Sequence, residues 1–499
     1  MEFYKNYSTM IIGEINWETK MIDLISNKDY IIEKTKNGKE YFHFIGIGGI
    51  GMSALALCLV NKGFKISGSD IASNLNIENL ISKQAKITIG HNPKNVEGAA
   101  LVVASSAIKQ DNPEILRAKE LNIPIIHRSQ LLEAMMSGLG RDEKPVSIGV
   151  SGTHGKTTTT GMMGMIFEHS GLKPSIVVGG MIPALNTNSK FDSGKYFVSE
   201  LDESDGTIKE YRPNYTIITN LEKDHVDHYA DGLQQVLDTF RNYISNLDKS
   251  SKIIVNVDDK GINLLLKSID FQNVITYSLD ENANANYLAR NIIANGFNTS
   301  ADIYKDGDYI GTLCLRVPGV HNISNALATI AVALDCGVNF EDIKKSLGQF
   351  TGMKRRFQLA ADINGIKIID DYAHHPTEIE ATLRSAKEVK DKKIVKRVVV
   401  VFQPHRYTRL HGLWDEFKTC FANADKVYVV DVYPAGEKPI EGYGAKEFCE
   451  QTGYTYLLGS LEDAAAALDG AFAEGDMVLD LGAGSIVKLS QILKGRLEK

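Results

Sequence analysis

At 499 residues the chain is too long for one hydrophobic core, and at roughly 100 to 200 residues per domain it predicts about three domains. Its hydrophobic content of 43% and charged content of 23% are those of an ordinary globular protein. With 55 basic against 62 acidic residues the net charge is -7, and no basic run exceeds "KDKK" at 390–393. That balance argues against a nucleic-acid partner and leaves room for a phosphorylated small molecule held locally.

The five cysteines, Cys58, Cys314, Cys336, Cys420 and Cys449, are scattered and never form a C-x-x-C pair. They read as small buried hydrophobes in a reducing compartment, not as zinc ligands. The N-terminus lacks a basic segment followed by an apolar one, and nowhere do 18 apolar residues run uninterrupted. The expectation is a cytoplasmic enzyme without membrane insertion.

In chain order, residues 1–40 are charged and weakly periodic, an N-terminal extension to which no role attaches. Residues 41–141 alternate strand and helix: "YFHFIGIG", a helix from Met52 to Lys62, "KISGSD", "ALVVASSA", a helix from Pro113 to Glu120 and "IPIIHR". Such alternation predicts a parallel sheet with covering helices. "SGLGRDEKP" (137–145) predicts a linker. Residues 142–350 carry the strands "KYFVSEL", "YTIITNL" and "KIIVNV", a helix from Leu233 to Leu247, a hairpin turning at Asp306-Gly307, and two closing helices. Residues 351–499 alternate again, through "IKIIDDYAHHP", "RVVVVFQPHR", "KVYVVDVYPAG" and "DMVLDLGAGSI". The chain is predicted to be α/β in three domains.

Two glycine loops carry the chemistry. "GVSGTHGKTTTT" (149–160) joins a short apolar strand to a helical pattern, the context in which converging backbone N–H groups and a helix N-terminus hold phosphate. Lys156 would reach the terminal phosphates and Thr157 a magnesium ion, although the strict pattern wants glycine where Val150 stands. Acids at strand ends are natural metal ligands, and two clusters qualify: Glu200, Asp202, Glu203 and Asp205 in "ELDESDG", and Asp224, His225, Asp227 and His228 in "KDHVDHY". The other loop, Gly46-x-Gly48-x-x-Gly51, follows a strand and opens a helix, with Asp70 closing the next strand. This is a dinucleotide-binding context that serves any diphosphate carrying a ribose.

The ordered motifs "GTHGKTTTT", "ELDESDG", "TNLEKDHVDHY", "GVHNISNALA", "GMKRRFQ", "DDYAHHPTE", "FQPHRYTR" and "DVYPAGE" resemble the Mur ligases, from about His43 to the C-terminus. Within that family the resemblance is to the bacterial branch that joins L-alanine to UDP-N-acetylmuramate. A sister branch that attaches a preformed tripeptide shares the ATP site.

The resemblance implies an N-terminal Rossmann-like domain for the UDP-sugar, a central P-loop ATPase α/β domain and a C-terminal Rossmann-like α/β domain for the amino acid. It implies ATP and Mg2+, with Mn2+ tolerated, as cofactors, and a monomer or homodimer. Residue by residue, it implies a catalytic set of Lys156, Glu200, His225, Arg356 and Asp371. ATP contacts would come from Gly152, Thr153, His154, Gly155, Lys156, Thr157, Thr158, Asn322, Asn325, Arg356 and Asp371, with Asn322 alternatively capping its helix. Thr157, Glu200 and His225 would hold the metal. Gly46, Gly48, Gly49, Gly51, Met52, Ser53, Asp70, Ser105, His127 and Arg128 would hold the UDP-sugar, and His375, His405, Arg406 and Arg409 the amino acid. Because these residues come from all three domains, hinge closure is expected near 140–145 and near Thr351.

Overall fold

The computed structural model describes residues 41–223, 229 and 232–498. The expected contribution of His225 and its neighbours Asp224, Asp227 and His228 lies outside the described residues, as does the extension 1–40. No helix among the described residues is long and apolar enough to cross a membrane.

The N-terminal sheet is fully parallel, in the order Lys86–Ile89, Ile66–Asp70, Tyr41–Ile45, Ala99–Ala104, Ile125–His127. The order reverses beside Tyr41–Ile45, so the glycine loop that follows this strand sits at the switch point, where the crevice for a ligand opens.

The central sheet has ten strands. Val146–Ser151, which feeds the phosphate loop, lies between Tyr196–Glu200 and Tyr215–Ile218, parallel to both. The acidic cluster and the "TNLE" turn therefore emerge on either side of the loop at the carboxyl edge. The hairpin predicted at Asp306-Gly307 is present, with both residues at positive φ (50° and 91°) as a primed two-residue turn requires. It pairs with Tyr287–Asn295 to add an antiparallel flank.

The C-terminal sheet runs Gln358–Ile363, Ile366–Asp371, Asp476–Leu481, Arg397–Phe402, Lys426–Val429, Thr455–Tyr456, parallel except for its first hairpin. Asp371 ends its strand, and His405 and Tyr433 follow theirs, on one edge.

The first two domains are fused by packing. One apolar core contains Phe42, Leu55, Leu59, Leu131 and Met135 of the N-terminal domain together with Val177, Phe197, Leu201, Tyr211 and Phe240 of the central domain. The predicted linker 137–145 is part of this seam and not a free tether. Leu139 is fully buried, and Arg141 donates to Gly194 O, Asp192 O and Ser175 Oγ while its guanidinium lies over the rings of Phe191 and Phe197.

The central and C-terminal domains meet differently. Lys354 N donates to Met181 O, Thr377 Oγ1 to Glu222 Oε2, and Phe297 touches Phe357 edge-on. Two hydrogen bonds and an aromatic edge contact part at lower cost than a shared apolar core. Of the two expected hinges, only the one near Thr351 is compatible with the packing. Spin-label distances between the first two domains should therefore stay fixed when a non-hydrolysable ATP analogue is added, while those between the central and C-terminal domains narrow. Movement of the first pair would contradict this division.

Candidate active site

The phosphate loop is built from glycines that nothing else can replace. Gly152 has φ +121°, and a Cβ there would stand 2.4 Å from Thr219 Oγ1. Gly155 has φ +83°, and a Cβ would stand 2.8 Å from Asn325 Oδ1. The peptide of His154 between them is clamped from the neighbouring strand: its N–H donates to Asn220 Oδ1 (2.8 Å), and its carbonyl accepts from Thr219 Oγ1 (2.6 Å) and Asn220 Nδ2 (3.0 Å). Helix Lys156–His169 then begins without a side-chain cap, leaving its first N–H groups open to an anion.

Behind the loop, Lys156 Nζ donates to Gly152 O (2.6 Å), Thr153 O (3.0 Å) and Glu203 Oε1 (2.9 Å). Burial works against the ammonium, yet Glu203, Asp202 and Glu200 outweigh it and raise its pKa. Thr157 Oγ1 lies 3.1 Å from both oxygens of Glu200, which also accepts from Gly179 N at 2.7 Å. Burial raises the Glu200 pKa in spite of Lys156.

In front of the loop opens a cavity of about 450 Å³ between the central and C-terminal domains. It brings together His154, Gly155, Thr157, Thr158, Asn322, Asn325, Arg356 and Asp371 of the expected ATP set. Gly152 and Thr153 form the turn beneath, and Lys156 reaches back to Glu203. Asn322 does not cap its helix: its amide donates to Pro318 O, and Asn325 donates to Asn322 Oδ1. Asp371 accepts from Phe357 N and Ala373 N, both at 2.7 Å, pinning the "KRRF" segment to the sheet edge. Burial pushes its carboxyl up to about 6 against the pull of Arg356.

In the N-terminal domain, Asp70 Oδ2 accepts from Gly48 N at 2.8 Å, so this acid shapes the first glycine loop. Ser53 Oγ bonds back to Ile50 O. His127 caps helix Arg128–Met136 and faces Ser106 Oγ. Burial lowers its pKa to about 4. Arg128 spans the domain boundary: Nη1 lies 3.5 Å from where a Gly51 Cβ would be, and Nη2 donates to Asp202 (2.6 Å) and Asp205 (3.4 Å). One guanidinium thus links the first glycine loop to the "ELDESDG" turn.

At the C-terminal edge, His405 stacks on Tyr433 (5.4 Å, 10°), and Arg409 Nη1 lies 3.4 Å from its Nδ1. Burial, with His374 and both arginines, lowers the His405 pKa to about 3. Arg406, at φ +70°, faces Glu437 at 3.9 Å. The histidine that adjoins His405 is His374, 5.8 Å away ring to ring. His375, expected in this pocket, instead caps helix Pro376–Asp391 and lies 5.2 Å from the ring of His154.

Comparison with known proteins gives the lineage of this arrangement. Residues 41–139 match the model of the Mur ligase family catalytic domain, 150–333 the Mur ligase middle domain, and 355–484 the Mur ligase glutamate ligase domain. The chain belongs to the Mur ligase family. A UDP-N-acetylmuramate--L-alanine ligase of Pelobacter propionicus is 40% identical over 466 residues, covering 92% of this chain and 98% of that protein. The crystal structure of UDP-N-acetylmuramate-alanine ligase MurC from Thermotoga maritima superposes with a TM-score of 0.77 at 31% identity, covering 92% of this chain and 99% of that one. A murein peptide ligase from Psychrobacter arcticus superposes with a TM-score of 0.68 at 25% identity, over 92% and 98% of the two chains.

Several site residues of this Mur ligase escaped the motif reading. Thr219 and Asn220 lie inside a motif that pointed only to its acids and histidines. Glu203 was one acid among several, and nothing local singled it out as the partner of Lys156. Asp258, His321, and the pair Glu378 and Arg384 on helix Pro376–Asp391 line the cavity from three separate segments. His321 and Glu378 stand inside the quoted motifs, one beside Asn322 and the other closing "DDYAHHPTE", without a role attached to either.

Proposed function

We propose that this Mur ligase joins L-alanine to the lactyl carboxylate of UDP-N-acetylmuramate, with conversion of ATP to ADP and phosphate. The observation that carries the reading is the convergence of phosphate loop, Asn322, Asn325, Arg356 and Asp371 on one interdomain cavity in a chain of this ancestry.

A carboxylate and an ammonium do not condense in water, because the departing oxygen is a poor leaving group. Attack of the carboxylate oxygen on the γ-phosphorus of ATP gives an acyl phosphate and ADP. The alanine amine, having lost its proton, then attacks the acyl carbon and expels inorganic phosphate. The loop N–H groups and Lys156 hold the phosphates, and Arg356 spreads its charge over the transferring oxygens. In this reading Arg409 and His405 take the alanine carboxylate, and Arg128 the sugar nucleotide. The hydroxyl of Thr157 against both oxygens of Glu200 is a hard, half-buried oxygen cluster that fits Mg2+, and Mn2+ as a substitute. Such an ion, when bound, neutralises phosphate charge. His225 is the proposed third ligand.

Phosphate release from ATP tests the reading, with UDP-N-acetylmuramate present and no amino acid, L-alanine, L-serine, glycine or L-Ala-γ-D-Glu-meso-diaminopimelate added in turn. Release should require both the sugar nucleotide and L-alanine. Dependence on the tripeptide instead would transfer the protein to the peptide-recycling branch.

A further inference from the structure

Glu378 is assigned no part by the motifs, yet its carboxylate touches three elements that must act together. It stands at the third position of helix Pro376–Asp391, where Oε2 accepts from His374 N (3.1 Å) and His375 N (3.4 Å). The same oxygen lies 3.2 Å from His374 Nδ1. Oε1 faces Arg356 Nη1 at 3.3 Å and, across the domain boundary, His154 Nδ1 at 3.6 Å. The side chain is only 12% exposed. Although burial alone would raise its pKa, the charges of His374 and Arg356 and the bond from His154 hold it well below the usual carboxylate range.

Helix capping needs one acceptor oxygen and no charge, and glutamine serves that purpose as well as glutamate. The other oxygen is turned to cationic groups. Arg356 also feels Asp371 and the ring of Tyr372 5.2 Å away, but the Asp371 oxygens are engaged by Phe357 N and Ala373 N, and a ring face fixes the plane of a guanidinium more than its direction. His154 Nε2 is buried, lines the cavity and makes no hydrogen bond among the described residues, with Glu222 Oε2 3.8 Å away, whereas its Nδ1 faces Glu378 at 3.6 Å and so turns Nε2 toward the cavity. One carboxylate therefore orients an arginine of the C-terminal domain and a histidine of the phosphate loop toward the same space.

Resting on the ligase reading above, we propose that Glu378 is a positioning residue for phosphoryl transfer: its charge aims Arg356 and His154 at the γ-phosphate and registers the C-terminal domain on the phosphate loop. Misplacing a catalytic group by about 1 Å can cost on the order of 100-fold in rate.

The test compares wild type, Glu378→Gln and Glu378→Ala in phosphate release with ATP, Mg2+, UDP-N-acetylmuramate and L-alanine, with a melting curve for each. Glu378→Gln keeps the cap and should melt close to wild type, while kcat falls about 100-fold and KM for ATP changes only a few-fold. Glu378→Ala should lose stability as well. Wild-type kcat in a stably folded Glu378→Gln protein would reduce the residue to a cap and overturn the proposal. A Glu378→Gln protein with lower KM for ATP and undiminished kcat would also overturn it, by making the carboxylate a competitor of phosphate for Arg356. Wild-type protein inactive on every substrate combination would instead bring down the ligase reading on which the proposal rests.

Discussion

Lys156→Met is expected to reduce alanine-dependent phosphate release by at least about 1000-fold and, unlike an ordinary active-site substitution, to lower the melting temperature as well. The catalytic part follows from the proposed function, in which the Lys156 ammonium meets the transferring phosphate, and single preorganised donors of that kind are already worth roughly 100- to 1000-fold. The stability part follows from Glu203, whose side chain is 3% exposed and loses its ammonium. Breaking one side of a buried ion pair costs about 3 to 5 kcal/mol, because the remaining charge stays out of water. The double variant Lys156→Met/Glu203→Gln separates the two effects. It should recover most of the melting temperature and none of the activity. Recovery of activity in the double variant would show that Lys156 acts only by neutralising Glu203.

Asp480→Asn is expected to stabilise the C-terminal domain at pH 8 and to do little at pH 4. Asp480 lies on the central strand Asp476–Leu481, fully buried, with Ser490 Oγ donating to Oδ2 and no partner for Oδ1 among the described residues. Burial pushes its carboxyl up to about 8, with Asp370 on the neighbouring strand adding to the rise. Between the ordinary carboxylate range near pH 4 and pH 8, the folded protein retains a proton that the unfolded chain has released. Stability therefore falls as pH rises through that window and levels off above it. Each tenfold change in proton affinity is worth about 1.4 kcal/mol, so the loss across the window amounts to several kcal/mol. Asp371, pushed up to about 6, acts in the same direction over a narrower window. Melting temperatures of wild type and Asp480→Asn measured from pH 4 to 8 should diverge steadily, with the variant the flatter. Parallel curves would remove Asp480 from the account.

How much of this was legible in the sequence depends on the range of the interactions. Glycine loops at strand–helix joints are local objects, so both were readable, down to the lysine and threonine that open helix Lys156–His169. The hairpin at Asp306-Gly307 was readable for the same reason. Partnerships across sequence were not. Glu203 and Lys156 meet because the order of the central sheet brings two strand ends to one edge, whereas Arg128 with Asp202 and Glu378 with His154 meet only where one domain packs on another. The exchange of His374 and His375 illustrates a finer limit. Adjacent residues leave a strand end in opposite directions, and which one caps the following helix is decided by Pro376 and Glu378, not by the histidines. The linker 137–145 misled for a related reason: its glycines and charges are those of a loop, but Leu139 and Arg141 commit it to an interior that forms only when two domains pack.

That packing bears on how the molecule comes apart. A core shared by Phe42, Leu59, Phe197 and Phe240 makes residues 41–350 a single cooperative unit, because neither half can unfold without exposing the other's apolar face. The C-terminal domain keeps its own cores around Val400 and Val399. Calorimetry should resolve two transitions from a three-domain chain. A fragment beginning near residue 351 should fold alone, whereas a fragment of residues 41–141 should aggregate along the buried face of helix Ile50–Asn61.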